Sequence, residues 1–233
     1  MSEGVLALAA LERPPSQSQL VYDQLRLALR NAQFGGGSLL TESDLARQLG
    51  VSTTPVHEAM VRLASEGFVE LLPRRGARVV RLTIRDIEEI LEVREGLEAE
   101  VTRLALERMT TDDFALMAGH LRQGQRGVEG NDYAAFNAAD IGLHDCIAQA
   151  SNNQRLLRML AEIRVWVQRI RKATMEHQFN LPGRPEKAQH EHAELVEAMR
   201  QKDRRAEEIV RRHISSLKED IVAYMASEGL DSI

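Results

Sequence analysis

A single cysteine, Cys146, stands among the 233 residues, so no disulfide can close within the chain, and its apolar neighbours suggest a buried thiol without assigned chemistry. Nor does any stretch approach the roughly 18–20 uninterrupted apolar residues that a bilayer span needs. The start, MSEGVLALAALERPP, lacks the basic region of a secretory signal. A cytoplasmic protein with no membrane partner is the expectation. An overall basic charge is missing too: the net charge is −5, a poor match for nucleic acid until the chain is divided. Residues 16–82 hold eight arginines against six acids, whereas residues 83–233 hold 21 basic and 27 acidic side chains. The basic excess is local, and Arg74, Arg75, Arg78 and Arg81 crowd its end.

What is present is ordinary soluble material, 43% hydrophobic and 28% charged, long enough for one domain of about 70 residues and one of about 150. Residues 1–15 read as a flexible arm whose alanines and leucines fit a short helix without requiring one. From Ser16 to Phe34, Leu20, Val21, Leu25, Ala28 and Leu29 follow helical spacing until Gly35-Gly36-Gly37. Thr41 with Asp44 has the look of a capping box opening a second short helix that Gly50 breaks. Ser52 is placed to cap a third helix, where Pro55 is tolerated in the first turn and Val56, Met60 and Leu63 form the apolar stripe. Two β-prone runs, Phe68 to Leu72 and Ala77 to Leu82, flank Pro73-Arg74-Arg75-Gly76 and predict a basic-tipped hairpin. Three helices and a hairpin wing in this order make a winged helix-turn-helix at 16–82, whose third helix enters the major groove.

Beyond Thr83, a fitting N-cap, the spacing predicts helices over 84–108, 111–126, 131–151, 153–176, 185–201 and 203–226, with no strand signal. The fold class is therefore mostly α: a winged helix-turn-helix, then an all-α six-helix bundle over 83–233 able to hold a metal or ligand between facing helices.

The run from Leu39 to Met60, with Glu42, Leu45-Ala46, Leu49-Gly50-Val51-Ser52, Pro55-Val56 and Glu58-Ala59, then Leu63, Glu66-Gly67 and Arg75-Gly76, resembles the GntR family of bacterial regulators. Val93-Arg94, Leu97-Glu98, Asp140 through His144, Asn153, His192 and His213 resemble the FCD effector domain of its FadR group, in the six-helix variant. The resemblance implies a homodimer on operator DNA, controlled by a small carboxylic acid bound at or near a divalent metal in the helical domain. For DNA it implies Thr41, Ser52, Thr53, Thr54, His57, Arg62, Arg74, Arg75 and Gly76. Members commonly carry arginine where this chain has Ser43, Thr53 and His57. A bidentate arginine to guanine discriminates by roughly 1–3 kcal/mol, so the operator read here should differ. Ser52 is a helix cap as readily as a contact, and Glu58 would repel phosphate.

Asp140 and His144 are spaced i, i+4, one turn apart on one helix face. His192 lies eleven residues before Asp203 and His213 ten after it. In an antiparallel helical hairpin that equal distance, about 15 Å, brings both imidazoles to one height. The FCD pattern carries over to Asp140, His144, His192 and His213 without departure. One carboxylate and three imidazoles suit zinc first, with nickel, manganese and iron as alternatives. His190 points about 200° away from His192, and His177 has a weak case. Arg94 either holds the effector carboxylate or pairs with Glu98 at i, i+4; Arg164, Arg169 and Arg171 line an anionic pocket or a solvated face. Two further readings remain open. A metal sensor without an organic effector is one. A metal-dependent hydrolase is the other, weakened by the absence of a His-Glu-x-x-His arrangement, with Glu191 the one nearby base. No enzymatic activity is expected.

Overall fold

The computed structural model describes residues 14–179 and 183–233. Of the expected arm, residues 1–13 lie outside these. Helix α1, Gln17–Arg30, ends short of the glycines expected to stop it. Ala32 adopts φ 50° and the Gln33 N–H reaches the Ala28 carbonyl at 3.0 Å, a left-handed closure that needs no glycine here. Strand β1, Leu39–Leu40, was not expected, since two residues are too short to show alternation. Helix α2, Glu42–Leu49, is capped by Thr41, whose hydroxyl accepts from Asp44 N–H, and closes at Gly50 with φ 67°. Helix α3, Thr53–Ser65, buries Val56, Met60 and Leu63 completely.

Strands β2, Val69–Leu72, and β3, Gly76–Val79, form the hairpin, and β1 pairs with the far edge of β3 to give the antiparallel order β1-β3-β2. The wing tip turns through Pro73 and Arg74, with Arg74 at φ 61° and Arg75 N–H bonded to Leu72 O at 3.0 Å, the proline-then-left-handed order of a type II turn. Gly76 follows at φ 92°, and a Cβ there would stand 2.1 Å from Leu40 O. Its missing side chain is what lets β1 approach β3.

Six long helices follow: α4 Ile84–Arg108, α5 Thr111–Glu129, α6 Tyr133–Ala150, α7 Gln154–Phe179, α8 Arg184–Arg200 and α9 Arg205–Ser227. Thr83 with Asp86 and Thr110 with Asp113 form complete capping boxes at the starts of α4 and α5, satisfying N–H groups that would otherwise lack partners. Leu143 and Ile147 of α6 pack with Leu195 and Met199 of α8 and Val210 and Ile214 of α9. A second cluster joins Ile87 and Leu91 of α4 to Ile170 of α7 and Leu217 and Ile221 of α9. Ile233 closes the latter by exchanging backbone hydrogen bonds with Leu82 at 2.8 and 2.9 Å.

The chain forms two compact units, one of residues up to Leu29 with Gln33–Val80, the other of Arg30–Ala32 with Arg81–Ile233. Among the described residues no helix is long and apolar enough to cross a membrane.

Candidate metal centre and nucleic-acid interface

In the helical unit, Asp140 and His144 of α6, His192 of α8 and His213 of α9 are each at most 5% exposed. One ligand atom from each lies within 4.8 Å of all the others. The hairpin geometry read from the spacing about Asp203 holds: the rings of His192 and His213 are 4.6 Å apart, and that of His144 lies 5.4 Å from His213 and 5.7 Å from His192. His190 is exposed and lies 3.7 Å from Glu194, away from the cluster. The side chain of His177 lies outside the described residues.

Two carboxylates, Glu98 and Glu191, orient the cluster. Glu98 Oε2 stands 3.0 Å from His144 Nδ1 and Glu191 Oε2 stands 2.8 Å from His213 Nδ1. A carboxylate accepts, so each Nδ1 carries the proton and each Nε2 is left to the cluster. The Nε2 atoms of His144, His192 and His213 are all buried without a hydrogen-bond partner. Asp140 Oδ1 stands 3.1 Å from His192 Nε2. Two imidazole acceptors of fixed tautomer, on His144 and His213, converging with a third ring beside Asp140 in a protein interior are costly unless something occupies their focus. The donor set therefore fits a divalent ion. Burial pushes the His213 imidazole down to about 3, and burial also lowers His192 against the pull of Asp140. Neutral rings are the form that ligates metal. Burial raises the Asp140 carboxyl, but the Arg171 charge and the His192 contact outweigh it and keep the group ionised.

Glu191, considered from sequence as a general base, is held by His213 Nδ1 on the side of that ring away from the cluster. It orients that ring.

Against the cluster lies a cavity of about 30 Å3 lined by Arg94, Glu98, Asp140, His144, Arg164 and Arg171, among others. Each guanidinium already faces a carboxylate: Arg94 Nε lies 3.2 Å from Glu98, Arg164 2.5 Å from Asp145, and Arg171 pairs with Asp140 Oδ2 and reaches Asn137 at 3.3 Å. Each also keeps a buried nitrogen without a hydrogen-bond partner: Arg94 Nη1, Arg164 Nη2 and Arg171 Nε. Of the two sequence readings of Arg94, the i, i+4 pair with Glu98 is present, and Arg94 also lines the cavity. Arg169 does not line this cavity; it sits 5.9 Å from the Trp166 ring. Cys146 is buried, donates to Asp113 O at 3.4 Å, and is pushed up to about 11 by burial.

In the winged unit a groove of about 620 Å3 brings together Thr41, Thr53, His57, Arg74, Arg75 and Gly76 from α2, α3 and the wing. Ser52 and Thr54 flank it, exposed; Ser52 occupies the N-cap position with φ −74° and ψ 169° yet makes no capping hydrogen bond. His57 Nδ1 is held by Glu42 Oε1 at 2.7 Å. Nothing in the spacing of these two residues, fifteen apart, marks that pair. Thr41 spends its hydroxyl on Asp44. Arg62 lies elsewhere: its guanidinium stacks 3.6 Å over the Tyr22 ring, bonds Gln19 at 2.8 Å and pairs with Glu66 at 3.4 Å, so it braces α1 against α3.

Residues 17–79 match the model of bacterial regulatory proteins of the gntR family, and residues 89–216 match the FCD domain. An uncharacterised HTH-type transcriptional regulator of Agrobacterium vitis, from the TAR-I ttuE-ttuC' intergenic region, is 39% identical over 135 residues, 55% of this chain and 79% of that protein. The HTH-type transcriptional repressor RspR of Escherichia coli K12 is 23% identical, covering 88% of each chain. Among solved structures, McbR/YncC of E. coli superimposes with a TM-score of 0.70 at 24% identity, over 92% of this chain and 99% of that one. A GntR regulator of Rhodococcus sp. RHA1 gives 0.72 at 22%, over 90% and 99%. At such identities the solved structures show the fold alone. These relatives are regulators of transcription, not enzymes. A winged head followed by six helices, matched over both parts, places this chain in the GntR family of DNA-binding transcriptional regulators, with an FCD effector-binding domain.

Proposed function

We propose that the helical unit binds a divalent metal through Asp140, His144, His192 and His213 and senses a small carboxylic acid beside it, thereby changing operator affinity. The observation that carries this reading is the set of three buried, unpartnered Nε2 atoms converging beside Asp140. Three imidazoles and one carboxylate suit zinc first, with nickel, manganese or iron as the alternatives. Such an ion would supply a fixed positive charge at the cavity wall. Arg94, Arg164 and Arg171 supply N–H groups suited to the two oxygens of a carboxylate.

At about 30 Å3 the cavity holds little more than a water molecule, so an organic acid enters by displacing existing arginine–carboxylate pairs. That rearrangement gives the effector different affinities for two states of the domain, which regulation requires. The same small volume favours, as a second reading, a metal sensor with no organic effector; it predicts that metal alone changes operator affinity. In the winged unit, Thr41, Ser52, Thr53, Thr54 and His57 with Arg74, Arg75 and Gly76 form the operator surface, which Arg62 supports by bracing α1 against α3. A homodimer presenting two such heads to a near-palindromic site is the assembly this reading expects, in the cytoplasm.

The test is metal content by plasma mass spectrometry, with His192→Ala alongside and a thermal-shift panel of carboxylic acids on the same batches. About one metal per chain, lost in the variant, with selective stabilisation by one acid class, supports the reading. Protein purified without chelators that carries no metal and takes up none would sink it.

A further inference from the structure

Both oxygens of the Glu98 carboxylate are committed. Oε1 accepts from Arg94 Nε at 3.2 Å, and Oε2 holds His144 Nδ1 at 3.0 Å. Arg94, Glu98 and His144 are 4%, 1% and 3% exposed, so water does not dilute either contact. At one end of this chain Arg94 keeps the unpartnered Nη1 and lines the cavity; at the other, His144 turns its unpartnered Nε2 into the cluster. Glu98 thus stands between the guanidinium and the imidazole, held by both.

We propose that Glu98 is a positioning residue coupling the cavity to the metal centre: a carboxylate anion engaging Arg94 tightens metal binding at His144, and the metal tightens the anion. The proposal rests on the metal-binding reading above. A carboxylate behind a ligating imidazole fixes its tautomer and raises its basicity. Arg94 competes with His144 for the charge of that same carboxylate, and in a low-dielectric interior the competition is felt strongly. An anion on the open N–H groups of Arg94 neutralises the guanidinium and returns Glu98 to His144. Linkage makes the effect reciprocal. Glu191 holds His213 in the same manner but lines the groove between α8 and α9 with Lys187 and Arg212 instead of the cavity, which makes it an internal control.

The test measures zinc affinity alone, by competition with a chromophoric chelator, in full-length wild type, Glu98→Gln, Arg94→Gln and the double variant. Glutamine keeps the shape and can still accept from His144 but carries no charge. Glu98→Gln should weaken zinc binding by about 10–100-fold. Arg94→Gln should tighten it by roughly fivefold or more, and the double variant should match Glu98→Gln. In a Glu191→Gln background the Arg94→Gln effect should persist. Equal tightening by Arg94→Gln with and without Glu98 would mean direct repulsion of the ion by the guanidinium and would overturn the coupling. So would an unchanged affinity in Glu98→Gln. Wild type that binds no zinc defeats the metal reading itself, a separate outcome. If Glu98→Gln fails to fold because Arg94 is left unpaired, the double variant, neutral at both positions, decides: wild-type affinity there overturns the proposal.

Discussion

Burial at His213 sets a pH dependence whose sign is fixed. In the folded, metal-free protein the imidazole gains its proton near 3, against 6.5 for the ring in water. Between those values the unfolded chain binds the extra proton and the native state does not, so stability present above 6.5 is lost as pH falls toward 3. His192 is lowered by burial in the same direction. Chelator-treated protein should therefore show a melting temperature falling across that window, with a shallower fall in His213→Gln; the same slope in both proteins would mean the ring is solvated. Cys146 belongs to this scale as well. Pushed up to about 11 by burial and bonded to Asp113 O, it should react with a thiol reagent at neutral pH no faster than the protein opens locally.

Among the elements, the wing depends on an absence. A methyl group at Gly76 would meet Leu40 O at 2.1 Å in a backbone at φ 92°, so Gly76→Ala must move β1 off β3 or strain the turn, at a cost of about 1–3 kcal/mol. Denaturant unfolding measures that loss, and operator affinity should fall with it as Arg74 and Arg75 shift. At the start of α5, Thr110 and Asp113 satisfy each other's backbone N–H groups, and Thr110→Ala should cost about 1 kcal/mol by the same assay. The caps at Thr41 and Thr83 were legible in the sequence because a cap is decided by residues three or four apart, whereas the approach of Leu40 to Gly76 joins distant residues and was not. The end of α1 was not, because alanine rarely takes the left-handed conformation that Ala32 adopts.

For the molecule as a whole, division into two units separates what each site should report. Trp166, the one tryptophan, lies in the helical unit on α7. Removal of a bound metal should lower the unfolding transition that its fluorescence follows, since a ligand held by the native state alone stabilises that state. In the winged unit, Arg74→Ala should weaken DNA binding uniformly across sequences and reduce the salt slope by about one, the loss of one phosphate contact. His57→Ala should instead change which sequence is preferred.

The sequence by itself determined the order of helices and wing, the caps at Thr41 and Thr83, the local basic excess, and the ligand spacings. Each follows from periodicities and side-chain chemistry within a few residues, and the equal distances of His192 and His213 from Asp203 extended that reach across one hairpin. Only the tertiary structure decided which carboxylates stand behind the histidines, because Glu98 and His144 lie 46 residues apart and meet through helix packing. It alone paired His57 with Glu42, drew Arg62 onto Tyr22, and added β1 to the wing. A contact between distant segments depends on how whole helices pack, and no local pattern of residue types carries that information.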